Sequence, residues 1–266
     1  MHGGVISRMT TSKSMQATER NHTTVIKLGG SLLERLTPSF FNGIRTMIDQ
    51  GHRVVIVHGG GPAINRALKA AQIDTPIVNG LRITPENAIG IVQSVLIGSV
   101  NPWIVHQLHA AGIQAIGLNG FDGGMIEATY LDQDVYGFVG KIETIRPSLL
   151  ELLKETVPVI SCIGRTADGQ ALNINADTAA EKIASAIKAD ELLFITDTAG
   201  IKVNDSPVSE TTPSEITTWI GDGTIYGGMI PKVQAAAGCL ETGIPSVKIV
   251  NEALKGTTIR KEAVVR

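Results

Sequence analysis

Val25-Ile26-Lys27-Leu28-Gly29-Gly30-Ser31 and Val54-Val55-Ile56-Val57-His58-Gly59-Gly60-Gly61-Pro62 are two apolar runs that each end in a cluster of glycines. Runs this rich in branched aliphatic residues, bounded by glycine, read as buried strands of a parallel sheet. A strand that passes through glycines into a helix brings bare backbone N–H groups to the rim of the sheet, where the helix dipole favours an anion. Lys27 stands in the middle of the first run. A cation buried there requires a partner.

Outward from these runs, strand, turn and helix alternate. Helices are expected over 38–50, with Phe40, Phe41, Ile44, Met47 and Ile48 on one face, and over 62–73, with Pro62 at its first position. A third helix opens near Thr84-Pro85 and runs toward Leu108, with a break near Asn101-Pro102. Strands are expected at 115–118, 157–163, 192–196 and, last, 247–250; helices at 148–154, 179–188, 213–220 and 231–242. The stretch 120–141 reads as a hairpin excursion. Such alternation implies an α/β fold, a three-layer αβα open sandwich with a mostly parallel central sheet and ligands at the carboxyl ends of its strands.

With 266 residues, a net charge of −2 and no basic block, the chain offers no electrostatic reason to bind nucleic acid or an anionic membrane. No uninterrupted apolar stretch reaches the roughly 20 residues of a spanning helix. Cys162 and Cys239 lie far apart without metal-ligand spacing, as expected of reduced core thiols in a cytoplasmic protein. His106 and His109 lack a completing ligand, so no protein metal site is expected. Residues 1–22 are polar, without an apolar core segment, and read as a disordered tail.

Familiar glycine motifs fail on inspection. His58-Gly59-Gly60-Gly61 is like an esterase oxyanion loop, but no G-x-S-x-G elbow accompanies it. Gly221 and Gly223 begin a dinucleotide fingerprint in which Tyr226 takes the place of the last glycine. Either glycine cluster alone is explained by turn geometry. Two at adjacent strand ends, one beside a lysine, favour phosphate.

Other candidates are weaker singly. Lys232, in Gly227-Gly228-Met229-Ile230-Pro231-Lys232, falls in the first turn of a helix, where the dipole disfavours a cation and a bound anion would reverse the sign. A lysine snorkelling into water accounts for it equally well. In Asn173-Ile174-Asn175-Ala176-Asp177 the alternation places three polar residues on one side of an extended segment, while Thr178 and Glu181 fit a capping box. Arg82 in Asn79-Gly80-Leu81-Arg82 carries a planar fork suited to a carboxylate. Thr196-Asp197-Thr198-Ala199-Gly200-Ile201 ends a buried strand at the ligand edge.

Taken together and in this order, these motifs resemble the acetylglutamate kinases of the amino acid kinase superfamily, over residues 24–259. The resemblance implies the amino acid kinase (carbamate kinase-like) fold, with residues 23–190 forming a lobe for the acid and 191–266 a lobe for ATP. Lys27 and Lys232 would stabilise the phosphoryl group in transfer, and Asp177 would hold both lysines. Gly29 and Gly30 would lie over the γ-phosphate. Gly60, Gly61, Arg82 and Asn173 would bind N-acetylglutamate. Asp197, Thr198, Gly200, Ile201, Lys202, Thr224, Tyr226 and Met229 would line ATP, whose Mg²⁺ is held mainly by the phosphates. The acceptor carboxylate, with an ordinary pKa of about 4.3, is ionised at neutral pH and needs no general base.

The polar 1–22 tail and the short stretch after Val250 are unlike the arginine-inhibited members, which implies a homodimer insensitive to arginine. Two rival readings stay open. One is a sister carboxylate kinase acting on an acetylated or carrier-linked aminoadipate, separated by one methylene, worth about 1–3 kcal/mol. The other is a non-catalytic nucleotide-binding regulator, against which the joint presence of Lys27, Asp177 and Lys232 argues.

Overall fold

The computed structural model describes residues 22–203 and 206–262. Apart from the exposed His22, the expected tail lies outside the described residues. The main sheet has eight strands in the order Glu210–Thr211, Gly256–Arg260, Ser246–Val250, Glu191–Ile195, Thr23–Leu28, Arg53–His58, Val157–Ser161 and Ala115–Leu118. Every neighbouring pair is parallel except Gly256–Arg260 against Ser246–Val250. The two glycine-ended strands are neighbours, with Lys27 opposite Val57 and Leu28 opposite His58.

Alternation across these strands decides what each residue meets. Val25, Val55 and Val57 enter the core under helices Ala176–Ala186 and Met229–Glu241. Ile26, Leu28, Val54 and Ile56 pack on the opposite face against Phe40 and Ile44 of helix Pro38–Asp49 and against Ile104 and Leu108. Each such branched side chain, fully buried, contributes roughly 1.5–3 kcal/mol. By the same alternation Lys27 shares the face of Val25, and His58 that of Ile56.

The expected break at Asn101-Pro102 is absent. Glu86–Ala110 is one helix of 25 residues whose segment Leu96–Val100 widens to π geometry just before Pro102. Proline lacks an N–H and crowds the carbonyl four residues back, and the wider turn absorbs both defects. This helix contains an 18-residue window of mean hydropathy 1.6 and is long and apolar enough to cross a membrane. Its apolar stripe, Ala88, Ile89, Val92, Leu96, Ile104 and Leu108, is buried inside the fold instead.

Three further expectations are corrected. The run 157–163 splits at Cys162, and Ile163–Arg165 leaves to join Ile126–Tyr130, Gly140–Ile145 and Ala171–Asn173 in a second sheet of four strands. The excursion is therefore a sheet of its own. Val247–Val250 is not the last strand: the turn at Asn251–Lys255 folds Gly256–Arg260 back beside it. Finally, the first glycine turn leads into a 3₁₀ segment, Gly30–Arg35, so a long helix dipole stands only behind the second, at Gly61–Ala70.

Candidate active site

The two glycine turns touch. A Cβ on Gly30 would stand 2.5 Å from the Gly61 nitrogen and 3.0 Å from Gly60 Cα, so only a bare backbone fits there. One on Gly60 would lie 2.7 Å from the Leu96 side chain, whereas Gly61 faces open space. The Gly59 N–H donates to the Leu28 carbonyl at 3.1 Å, tying the second turn to the end of the first strand. Between and beside the turns lies a cavity of about 210 Å³ lined by Gly29, Gly30, Gly60, Gly61, Arg82 and Asn173, among others. A second cavity of about 210 Å³ is lined by Asp177, Phe194, Thr196 and Lys232. Lys27 lines both.

Lys27 Nζ is 2.8 Å from Asp177 Oδ1, and the lysine side chain is only 15% exposed. The strand places the ammonium on the face covered by helix Ala176–Ala186, whose second residue is Asp177, a favourable position for a carboxylate beside the helix N-terminus. Asn175 caps this helix, its Oδ1 accepting from the N–H groups of Asp177 at 2.9 Å and Thr178 at 3.0 Å. This replaces the expected Thr178–Glu181 capping box, and it ends the extended run at Asn175. Asn173 and Asn175 line the first cavity and Asp177 the second, so the three do not share one side.

Lys232, the fourth residue of helix Met229–Glu241, pairs with Asp197 Oδ1 at 3.1 Å. The expectation that Asp177 holds both lysines is not what the structure shows: Asp177 is engaged by Lys27, and Lys232 takes the exposed carboxylate just beyond strand Glu191–Ile195. The hydrogen bond and charge of Lys232 hold the Asp197 carboxyl below the usual carboxylate range. Of the remaining nucleotide candidates, Thr198, Lys202 and Tyr226 are exposed, and Thr224 and Met229 half-buried. Ile201 is fully buried in the core with its N–H on Thr257 Oγ1 at 2.8 Å, and Gly200 is pressed against the same threonine.

At the first cavity, Arg82 is half-buried, and its guanidinium donates to Thr75 Oγ1 at 2.7 Å and to Asn65 Oδ1. Burial pulls its pKa below the ordinary value without a carboxylate to offset it. Asn173 Nδ2 donates to Thr84 Oγ1 at 3.1 Å. Cys162, buried under the same cavity, has its thiol pushed up to about 12 by burial.

His58 is fully buried, and burial pulls its pKa down to about 4, so the ring is neutral at pH 7. Its partners fix the tautomer. Nδ1 faces the Gly59 carbonyl at 2.9 Å and must donate; Nε2 faces Asn101 Nδ2 at 3.0 Å and must accept. The same Asn101 amide donates to the Val159 carbonyl at 2.8 Å. His58 is thus a brace for the second glycine turn. Asn65, Thr75, Thr84, Asn101 and Cys162 carry no motif of their own, and the sequence reading missed their part in the site. For Asn101 a signal existed: a buried histidine needs a polar partner.

The chain has counterparts among known proteins. Residues 22–251 match the model of the amino acid kinase family. The acetylglutamate kinase of Geobacillus kaustophilus (strain HTA426) is 46% identical over 250 residues, covering 90% of this chain and 97% of that protein. In structure, smu.665 from Streptococcus mutans UA159 aligns with a TM-score of 0.81 at 33% identity, over 90% of this chain and 99% of that one. Carbamate kinase from Giardia lamblia shares the fold alone, with a TM-score of 0.63 at 20% identity over 91% and 99% of the two chains. With a family model matching most of its length and relatives this similar over nine-tenths of it, the chain belongs to the amino acid kinase family.

Proposed function

We propose that this protein phosphorylates the side-chain carboxylate of N-acetyl-L-glutamate with ATP, giving N-acetylglutamyl 5-phosphate for arginine biosynthesis. The observation that carries the reading is Lys27, which lines both cavities and so stands where an acid in one would meet a phosphate in the other. The name carried by the Geobacillus kaustophilus relative agrees. In this reading 23–190 binds the acid and 191–266 binds ATP.

The acceptor carboxylate attacks the γ-phosphorus; the bond from that phosphorus to the bridging oxygen breaks, and ADP leaves. Such a loose in-line transfer needs positioning and neutralisation of charge rather than a base. Lys27 and Lys232 supply the positive charge from two sides. Asp177 orients Lys27, and Lys232 exchanges Asp197 for the phosphate. The amides of Gly29 and Gly30 attend the γ-phosphate, and Gly60, Gly61, Arg82 and Asn173 the acid. Mg²⁺ enters with ATP on its phosphates and neutralises their charge. In this reading the working form is a homodimer in the cytoplasm.

Hydroxylamine trapping of the acyl phosphate, with ATP, Mg²⁺ and each candidate acid, tests this. Product from N-acetylglutamate is expected. Product only from an aminoadipate-type acid would overturn the substrate, and product from none would leave a nucleotide-binding regulator.

A further inference from the structure

We propose that Thr84 is a positioning residue that fixes both Arg82 and Asn173, and in particular decides which way round the Asn173 amide stands. The inference rests on the reading of Arg82 and Asn173 as the groups that hold the acid.

Thr84 is fully buried two residues beyond Arg82. Its backbone is clamped by the loop that leads into strand Gly140–Ile145: its N–H donates to the Tyr136 carbonyl at 3.0 Å, and its carbonyl accepts from Phe138 N–H at 2.7 Å. Its hydroxyl donates to the Arg82 carbonyl at 2.9 Å. A hydroxyl has one hydrogen. With that hydrogen committed to Arg82, Thr84 Oγ1 can meet Asn173 only as an acceptor, and Asn173 must present Nδ2 to it, at 3.1 Å.

An asparagine amide has nearly the same shape either way round, so packing alone does not choose between its two orientations. The Thr84 hydroxyl does choose. It takes one hydrogen of the Asn173 amide and leaves the second, with Oδ1, for a ligand in the cavity that Asn173 lines. The backbone of Asn173 is tied to the same loop, its N–H donating to the Phe138 carbonyl at 2.9 Å. Residues 82–84, 136–138 and 173 therefore form one hydrogen-bonded unit on the acceptor side, and neither Thr84 nor the loop lines the cavity of Asp177 and Lys232.

Thr84→Val keeps the shape and removes the hydroxyl, leaving the Arg82 carbonyl and the Asn173 amide without their partner. A lost hydrogen bond of this kind corresponds to about a tenfold effect. Steady-state kinetics should therefore show the KM for N-acetylglutamate raised about tenfold, with kcat and the KM for ATP within about threefold. Thr84→Ser, which restores the hydroxyl, should return the acid KM to within about twofold of wild type. Thr84→Ala removes the same hydroxyl without the extra methyl and should match Thr84→Val, which guards against misfolding of the latter. An unchanged acid KM in both, or an equal rise in Thr84→Ser, would overturn the proposal. Arg82→Ala and Asn173→Ala run in parallel separate it from the reading beneath it. If they raise the acid KM and the Thr84 variants do not, only the role of Thr84 is lost; if they too leave it unchanged, the acid site itself is wrongly placed.

Discussion

The two cavities that meet at Lys27 are held together by different forces. On the acceptor side the fixing contacts are hydrogen bonds of buried or half-buried groups: His58 to Gly59, Asn101 to His58, Arg82 to Thr75, and Asn173 to Thr84. On the proposed nucleotide side Ile201 is held by a buried hydrogen bond to Thr257, but Lys232 rests on an ion pair with Asp197 whose side chains are 40% and 63% exposed, and Tyr226 stands 78% in solvent. A buried group that loses its partner costs about 1–3 kcal/mol, whereas an exposed ion pair contributes about 0–1 kcal/mol. In the proposed reading, the acid half thus has its geometry before any ligand arrives, and around Lys232 the nucleotide half is left to acquire its own from the phosphates. Lys27, buried like the first and charged like the second, joins them.

The joint is where the comparison can be broken most completely. Lys27→Ala should lower kcat by about 10³-fold or more, which is about 4 kcal/mol of transition-state stabilisation, while changing the KM for the acid less than about tenfold. Single-turnover phosphoryl transfer at saturating ATP is the measurement. A near-normal kcat would remove the transition-state role and leave Lys27 as a structural partner of Asp177.

The proposed acceptor half carries a pH signature at His58. The unfolded chain protonates histidine near pH 6.5, but folded His58 does so only near pH 4, because burial penalises the charged ring by more than the Gly59 carbonyl favours it. Between these values the unfolded state binds more protons, so stability is full above about pH 6.5 and falls as the pH drops toward 4. The loss from pH 7 to pH 5 is about 2 kcal/mol for this group. Urea unfolding at the two pH values should show that loss in the wild type and not in His58→Gln. An equal loss in both would mean that His58 does not hold the second glycine turn in a neutral network.

Arg82→Ala should raise the KM for N-acetylglutamate about 10- to 100-fold, about 1.4–2.7 kcal/mol, with kcat little changed. The KM for ATP should stay put, since Arg82 lines the acceptor cavity and not the one with Lys232. A rise in both KM values together would mean that the halves are one coupled unit, and the division drawn here would fail.

What was legible in the sequence follows the same division. The glycine-ended strands and Lys27 were readable because a parallel strand buried on both faces is a continuous apolar run, and a lysine inside it is conspicuous. The second sheet was not. Ile163–Arg165 and Ala171–Asn173 are three-residue strands, too short to show a period, and only their pairing with each other, from Asn173 opposite Ile163 to Ala171 opposite Arg165, reveals them. The cap at Asn175 was misread because Thr178 and Glu181 carry the same signature a few residues later. Asn101, 43 residues from His58 in sequence, looked like a helix break, since the pattern around Pro102 reports the backbone and not the partner. Lys232 was visible as an odd cation, but its resting partner Asp197 was not, because an exposed pair leaves no trace in the apolar pattern.

That exposed pair supports the smallest prediction and the sharpest contrast. Asp197→Asn removes the carboxylate on which Lys232 rests, 3.1 Å away. Whatever the pair contributes is present above the ordinary carboxylate range and is lost as the pH falls below it, because Lys232 holds the Asp197 carboxyl down. With both side chains more than a third exposed, water and salt screen most of that interaction. Unfolding free energy at pH 7 should therefore change by less than about 0.5 kcal/mol, and less again in 1 M salt. A loss of 2 kcal/mol or more, of the order expected when a buried partner is removed, would mean that Lys232 is locked in place as firmly as Asn173. The nucleotide side would then be preformed as well, and phosphate would have to break a strong contact on entering rather than exchange a weak one.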